Sequence, residues 1–236
     1  MLRAEAITKT YGDVIALDRV SLTLARGQRL GLVGPSGSGK STLAQILAAL
    51  QRSDAGTVTV DGERIETWGV RVPRRLRLRT QLVFQAPRVA VDPRLRLGAA
   101  IVEPLAAGGL DDREGRRDLW AARTGLTPDL LERFPHEVSE GQLQRACLAR
   151  ALIVDPGYLI CDELSSMLDV STQAALLETI AAAQSELGLG VLLITHDAVL
   201  ADAWCDVVVD IRALTARCEN VAISARSASV SPIHSR

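Results

Sequence analysis

The run Gly34-Pro35-Ser36-Gly37-Ser38-Gly39-Lys40-Ser41-Thr42 fits the pattern G-x-x-x-x-G-K-[ST]. It constrains the fold through what flanks it. Arg29-Leu30-Gly31-Leu32-Val33 reads as a short buried strand, and Leu43, Ile46, Leu47 and Leu50 recur at helical spacing, so the loop joins a strand to a helix N-terminus. There the free N–H groups and the positive helix end attract phosphate. The glycines let the backbone curl around phosphate oxygens, Lys40 can reach β and γ oxygens, and the Ser41 hydroxyl suits Mg²⁺. Of the 27 basic residues only Lys9 and Lys40 are lysine, and a compact ammonium on a flexible stem suits this slot better than a guanidinium. The motif points to a bound nucleoside triphosphate.

The rest of the chain sets bounds on what surrounds that loop. With 236 residues, 47% of them hydrophobic, it can bury a full core. A net charge of -1 exerts no global pull toward nucleic acid, and the five arginines between Arg71 and Arg79 read as a solvated loop or strand face. No apolar run approaches the ~18 residues of a membrane helix, and no signal peptide is expected. Cys147, Cys161, Cys205 and Cys218 form no C-x-x-C pair and read as reduced, mostly buried thiols, while the three histidines lack metal-ligand spacing.

Leu2–Ile7, Ser21–Leu24 and Thr57–Val60 are bounded by turns such as Asp61-Gly62 and suggest short antiparallel strands. Gln81–Phe84, Tyr158–Cys161 and Val191–Thr195 are apolar runs that alternate with helical stretches, which predicts a parallel sheet with chemistry at its carboxyl ends. The region from Pro87 to Val138 has no such strand and reads as a helical insertion, with Pro87, Pro93 and Pro104 punctuating a stretch that has helical patches such as Leu97–Leu105. Ser139 can cap a helix from about Glu140 to Val154, and Asp155-Pro156 stops it. Ser224 to Arg236 reads as a polar, frayed tail. The expected class is therefore α/β, a P-loop NTPase core with a parallel sheet, an N-terminal antiparallel β subdomain and an inserted α-helical subdomain. The expected boundaries are 1–86 and 155–212 for the core and β subdomain, 87–154 for the helical subdomain and 213–236 for the tail.

The acidic pair Asp162-Glu163 directly follows an apolar strand, where one carboxylate can hold Mg²⁺ through its water shell and the other can deprotonate an attacking water. Taken alone such a pair is more often a turn feature. Beside Lys40 it gains meaning. Tyr11 by itself is equally compatible with core packing, Gln85 with an edge-strand amide and His196 with a capping role.

In order, Lys9-Thr10-Tyr11-Gly12, Gly34 to Thr42, Val83-Phe84-Gln85, Val138-Ser139-Glu140-Gly141-Gln142, Tyr158 to Glu163, Ser166-Met167-Leu168-Asp169 and His196 resemble the motifs of the ATP-binding subunits of ABC transporters. The resemblance spans Ala4 to about Asp206. It implies that Tyr11 stacks on adenine, that Gly34, Pro35, Ser36, Gly37, Ser38, Gly39, Lys40, Ser41 and Thr42 cradle the phosphates, and that Ser41, Gln85 and Asp162 hold Mg²⁺. It also implies that Glu163, His196, Gln85 and Lys40 are catalytic, and that Ser139, Gly141, Gln142 and Asp169 meet the ATP of a second subunit, same or sister, paired head to tail. Leu82 to Pro87, Asp92-Pro93-Arg94, Glu103-Pro104-Leu105 and Phe134-Pro135-His136-Glu137 further resemble the dipeptide, oligopeptide and nickel importer group. That group implies transmembrane permease subunits, an extracytoplasmic solute-binding protein acting indirectly, no nucleic acid, and a peripheral place on the cytoplasmic face of the cell membrane.

Three departures stand out. Glu140 replaces a signature glycine and is expected to point away from a phosphate or to weaken one ATP site. Leu164 stands where proline usually follows the catalytic glutamate, and the stretch after Asp206 departs from the family, which leaves its fold open; no iron-sulfur extension is implied. An exporter-type subunit shares the same engine. A small-molecule kinase would need neither the signature nor His196, and a DNA-repair ATPase would insert a long coiled coil after Gln85, where no heptads occur here.

Overall fold

The hydrophobic runs sort into two sheets whose patterning differs as their surroundings do. The computed structural model describes residues 1–109, 113–164 and 170–214. β1 (Leu2–Tyr11) and β2 (Val14–Leu24) form a long hairpin that buries Leu2, Ala4, Ile7, Leu17, Val20, Leu22 and Leu24. The residues between them are mostly exposed or half-buried, as an antiparallel sheet with one wet face requires. β3 (Arg29–Val33) leads through the glycine-rich loop into α1 (Lys40–Leu47), and β4 (Ala55–Val60) turns into β5 (Glu63–Arg64). Asp61 and Gly62, at φ 51° and 83°, supply the left-handed pair that such a two-residue turn needs.

After α2 (Arg74–Arg79) and β6 (Thr80–Val83) come four helices, α3 (Leu97–Gly108), α4 (Arg113–Arg123), α5 (Pro128–Leu131) and α6 (Glu140–Leu152). The chain then alternates through β7 (Tyr158–Asp162), α7 (Val170–Leu187), β8 (Gly190–Thr195), α8 (Ala198–Trp204), β9 (Val207–Asp210) and α9 (Ile211–Leu214). The first sheet has the order β2-β1-β4-β5 and is antiparallel; the second has the order β6-β7-β8-β3-β9 and is parallel. Every residue of β7 and β8 is buried. Their two-residue period divides them between two cores: Leu159, Cys161, Val191 and Leu193 join α3, α6 and α7, whereas Tyr158, Ile160, Leu192 and Ile194 join α1 and the antiparallel sheet.

Two local expectations are corrected. The arginines from Arg74 to Arg79 lie on a short helix rather than a loop or strand, with only Leu76 buried. Leu50 lies beyond α1 and is exposed, because the helix ends at Leu47. Pro104 is inside α3, within the expected helical patch Leu97–Leu105; its missing N–H costs roughly 3 kcal/mol, which burial of Leu97, Ile101 and Leu105, at about 1.5–3 kcal/mol each, exceeds. The stretch after Asp206 continues the sheet as β9, paired in parallel with β3.

The antiparallel sheet positions the glycine-rich loop by backbone contact. Gly39 has φ 90°, and a Cβ there would lie 2.3 Å from the Ala16 carbonyl oxygen of β2, whereas one on Gly37 (φ 77°) would meet nothing within 4 Å. The same sheet is tied to the parallel one by Asp61. Its carboxylate accepts from the Met1 amino group at 2.6 Å, from Arg26 Nη2 at 2.8 Å and from the Tyr158 hydroxyl. Burial pushes the Asp61 carboxyl upward, but the bonds from Arg26, the amino terminus and Tyr158 outweigh it and hold the group well below the usual carboxylate range.

A depressed carboxyl contributes stability above its unfolded pKa of about 4 and loses that contribution as pH falls through its folded value. Asp61→Asn is expected to cost about 1–3 kcal/mol near neutral pH, with the gap to wild type closing below about pH 4. Urea denaturation across that range checks this; a gap independent of pH would assign the loss to shape rather than charge. In the same assay Gly39→Ala is expected to cost about 2–4 kcal/mol and Gly37→Ala only about 1 kcal/mol, since both suffer the left-handed strain and only one meets backbone.

Candidate functional site

Parallel pairing in register aligns the carboxyl ends of the central strands. Val83 pairs with Cys161, Asp162 with Ile194, and Val33 with both Thr195 and Asp210. The residues just past each strand end are therefore neighbours: Gln85 two beyond β6, and Glu163, His196 and Gly34 directly after β7, β8 and β3. Gln85 Nε2 donates to Glu163 Oε2 at 2.8 Å, and His196 Nδ1 lies 3.8 Å from Glu163 Oε1. The Glu163 side chain is 15% exposed and that of His196 59%, so the carboxylate sits at the floor of the cluster and the imidazole at its rim. Glu163 has φ 48°, a left-handed conformation costing a non-glycine residue roughly 1–2 kcal/mol, and its N–H donates to the Ile194 carbonyl at 3.0 Å. Leu164 follows it into the core at 5% exposure, so an apolar side chain anchors the chain where a proline would restrict it.

Along β7, Tyr158 and Ile160 face the core that α1 covers, and the period of two puts Asp162 on that face as well. Asp162 is 5% exposed, and its Oδ1 has no hydrogen-bond partner in the chain. Burial raises its pKa; the hydrogen bond from Ser41 opposes this, Glu163 adds to it and Lys40 opposes it. An orphaned, buried carboxylate oxygen beside a serine hydroxyl is a donor set that fits a hydrated divalent cation, since oxygen ligands and retained waters are what Mg²⁺ prefers.

The loop before α1 is built from turns. Ser38 donates through its N–H and its hydroxyl to the Pro35 carbonyl, and Leu43 N–H closes the first helical bond on Gly39 at 2.9 Å. Lys40 is 5% exposed and its ammonium donates to the Gly34 and Pro35 carbonyls at 2.8 Å each, which holds it across the loop. α1 carries no acidic residue in its first turn, so its positive end is left for an anion. Ser36 and Gly37 are exposed on the loop, and Ser41 and Thr42 open the helix.

Tyr11 ends β1 with its ring 48% exposed; Lys9 Nζ lies 5.6 Å from the ring centroid, and Gln51 Nε2 donates to the hydroxyl. Val14, paired with Tyr11 across the hairpin turn and so on the same face, is exposed too. Ser139, Gly141 and Gln142 open α6 on the helical insertion. There Gln142 N–H donates to Ser139 Oγ at 3.3 Å and Ser139 N–H to Gln142 Oε1 at 3.0 Å, a reciprocal cap. These residues bond to each other rather than to the strand-end cluster. Glu140 turns to Arg88, whose Nε donates to its Oε2 at 3.1 Å. Asp169 lies outside the described residues. Asp210 was not expected; it ends β9 beside the loop, bonded by Arg212 and held at about 2 by that bond. The β-branched run Val207-Val208-Val209 ahead of an acid, like Leu159-Ile160-Cys161 ahead of Asp162, was the available signal.

A Brucella abortus protein named as a peptide import ATP-binding protein is 46% identical over 186 residues, covering 77% of this chain and 56% of its own length. Glutathione import ATP-binding protein GsiA of Pectobacterium atrosepticum is 41% identical over 199 residues, 83% of this chain and 32% of its own. The chain thus spans about half the length of the first relative and a third of the second. Among solved structures, the dimeric structure of MJ0796, a bacterial ABC transporter cassette, superposes with a TM-score of 0.79 at 26% identity over 89% of this chain and 95% of that one. The same cassette in a dimeric post-hydrolysis state bound to ADP and Pi gives a TM-score of 0.78 at 25% identity, over 89% of this chain and 94% of that one. The profile of the family described as ABC transporter matches residues 17–166, more than half the chain, and the protein belongs to that family.

Proposed function

We propose that this chain hydrolyses ATP as the ATP-binding subunit of an ABC importer for peptides, working as a head-to-tail pair on the cytoplasmic face of the membrane beside permease subunits. The observation that carries the ATPase reading is Glu163, bonded by Gln85 and approached by His196, one residue from the orphaned carboxylate Asp162 and two strands from the Lys40 loop. The two relatives, named for peptide and glutathione import, support the cargo class. Among the described residues no helix is long and apolar enough to cross a membrane, so passage of cargo falls to other subunits.

In this reading the triphosphate lies along the loop from Gly34 to Thr42, with backbone N–H groups and the α1 dipole facing its oxygens. Lys40 exchanges its carbonyl partners for β and γ oxygens. Ser41, Gln85 and Asp162 would hold Mg²⁺, which when bound would supply positive charge against the phosphate oxygens. Glu163 Oε accepts a proton from a water whose oxygen attacks the γ phosphorus, the bond to the β–γ bridging oxygen breaks, and ADP leaves with that electron pair. Gln85 holds the carboxylate in place, and the His196 imidazole donates toward the γ-phosphate. Tyr11, with Val14 paired across the turn, offers the base an apolar face. Ser139, Gly141, Gln142 and Asp169 close on the other subunit's ATP. Because ADP lacks the γ-phosphate they contact, hydrolysis releases the pair.

Lys40→Ala is expected to weaken ATP binding by two orders of magnitude or more. Glu163→Gln is expected to bind ATP normally while hydrolysis falls about 10²–10⁴-fold and an ATP-bound dimer accumulates, visible by sedimentation. Wild-type turnover in either variant would remove the ATPase reading. For the cargo, ATPase of the complex co-purified with its permeases is expected to rise with added short peptides; stimulation by nickel chelates alone would redirect it.

A further inference from the structure

Arg88 lies three residues after Gln85, in the single 3₁₀ turn Pro87–Val89. That segment is fastened along α6 at three points. Gln144 Nε2 donates to the Phe84 carbonyl at 3.4 Å, Cys147 Sγ lies 3.6 Å from the Pro87 carbonyl, and Arg88 Nε reaches Glu140 Oε2 at 3.1 Å. Arg88 Nη1 also donates to the Pro135 carbonyl at 3.1 Å, which fixes the guanidinium from a second side. Glu140 is the first helical residue of α6, between Ser139 and Gly141, so without a counter-charge its carboxylate would stand among the groups expected to meet a triphosphate.

We propose that Arg88 is a positioning residue for the ATP reaction: it neutralises Glu140 and turns it aside, so that the start of α6 can receive the triphosphate held by the other subunit. The inference rests on the head-to-tail dimer described above. It adds that the arginine and the glutamate act as one unit, with Arg88 needed only because Glu140 is present. Two features fit a charge role rather than simple packing. The Arg88 side chain is half-exposed, and its two bonds go to Glu140 at the helix start and to the Pro135 carbonyl just ahead of it rather than to the core.

The test is a double-mutant cycle in the full chain carrying Glu163→Gln, reading the ATP concentration that half-saturates dimerisation by sedimentation, with KM for ATP in the otherwise unaltered chain alongside. Arg88→Ala is expected to raise both about tenfold, the size of one partly screened charge contact, and more at low salt. In a Glu140→Gly background the same substitution is expected to change them twofold or less, and Arg88→Lys, which keeps the charge, is expected to stay near the unaltered value. An equal loss from Arg88→Ala in both backgrounds would make the residue structural and overturn the inference, as would no loss in a chain that does dimerise with ATP. Failure of the Glu163→Gln chain to dimerise at any ATP concentration it binds would instead bring down the dimer reading, and this inference with it.

Discussion

The chemistry of this chain hangs on the parallel pairing of β6, β7, β8 and β3. Each strand delivers one group to the same edge: an amide from Gln85, two carboxylates from Asp162 and Glu163, an imidazole from His196 and the phosphate-binding loop from Gly34 onward. Because side chains alternate with a period of two, a slip of one residue in β7 would carry Asp162 from the α1 side of the sheet to the α6 side and separate it from Ser41. Complete burial of β7 and β8 prevents that slip, since it would exchange the faces presented to two well-filled cores. Packing energy thus enforces the position of a polar group that contributes nothing to packing.

That position is electrostatically uneasy, and usefully so. Asp162 is buried with one oxygen unsatisfied, Glu163 adjoins it in a strained backbone conformation, and Asp162 feels the charge of a lysine whose ammonium rests on carbonyls. A buried carboxylate without a full set of partners costs stability, and the cost is relieved by a ligand that supplies positive charge and donors. Lys40 likewise exchanges two neutral acceptors for charged ones when phosphate arrives. The site is therefore stabilised by what it binds, and ligand and fold reinforce each other.

Much of this was legible in the chain because the informative patterns are local. Gly34 to Thr42 carries its meaning in consecutive residues, Asp162-Glu163 and His196 each follow an apolar run, and Ser139 with Gln142 forms a cap over a single turn. What escaped was either non-local or a tertiary override. Arg88 and Glu140 are far apart in sequence, and nothing in either neighbourhood announces the other. β9 was missed because a three-valine run is too short to stand out until β3 offers it an edge. Four of the five arginines lie on a short helix anchored by Leu76, one apolar residue that periodicity over so few positions could not resolve.

The start of α6 shows how capping chemistry can decide which sign of charge a surface receives. Ser139 N–H must find an acceptor, so the Gln142 side chain turns its carbonyl oxygen inward and leaves its NH₂ outside; Ser139 Oγ accepts from Gln142 N–H, which leaves the hydroxyl hydrogen to donate elsewhere. Acceptors are consumed by the cap and donors remain. The only carboxylate of that first turn, Glu140, has an oxygen committed to Arg88. Added to the positive end of a 13-residue helix, this leaves a patch made of donors and partial positive charge, which an anion satisfies and a cation does not. A helix start with the same cap and an unpaired acid in its first turn would present the opposite face. The discrimination thus comes from how a few hydrogen bonds are partitioned, with no cationic side chain needed to touch the anion.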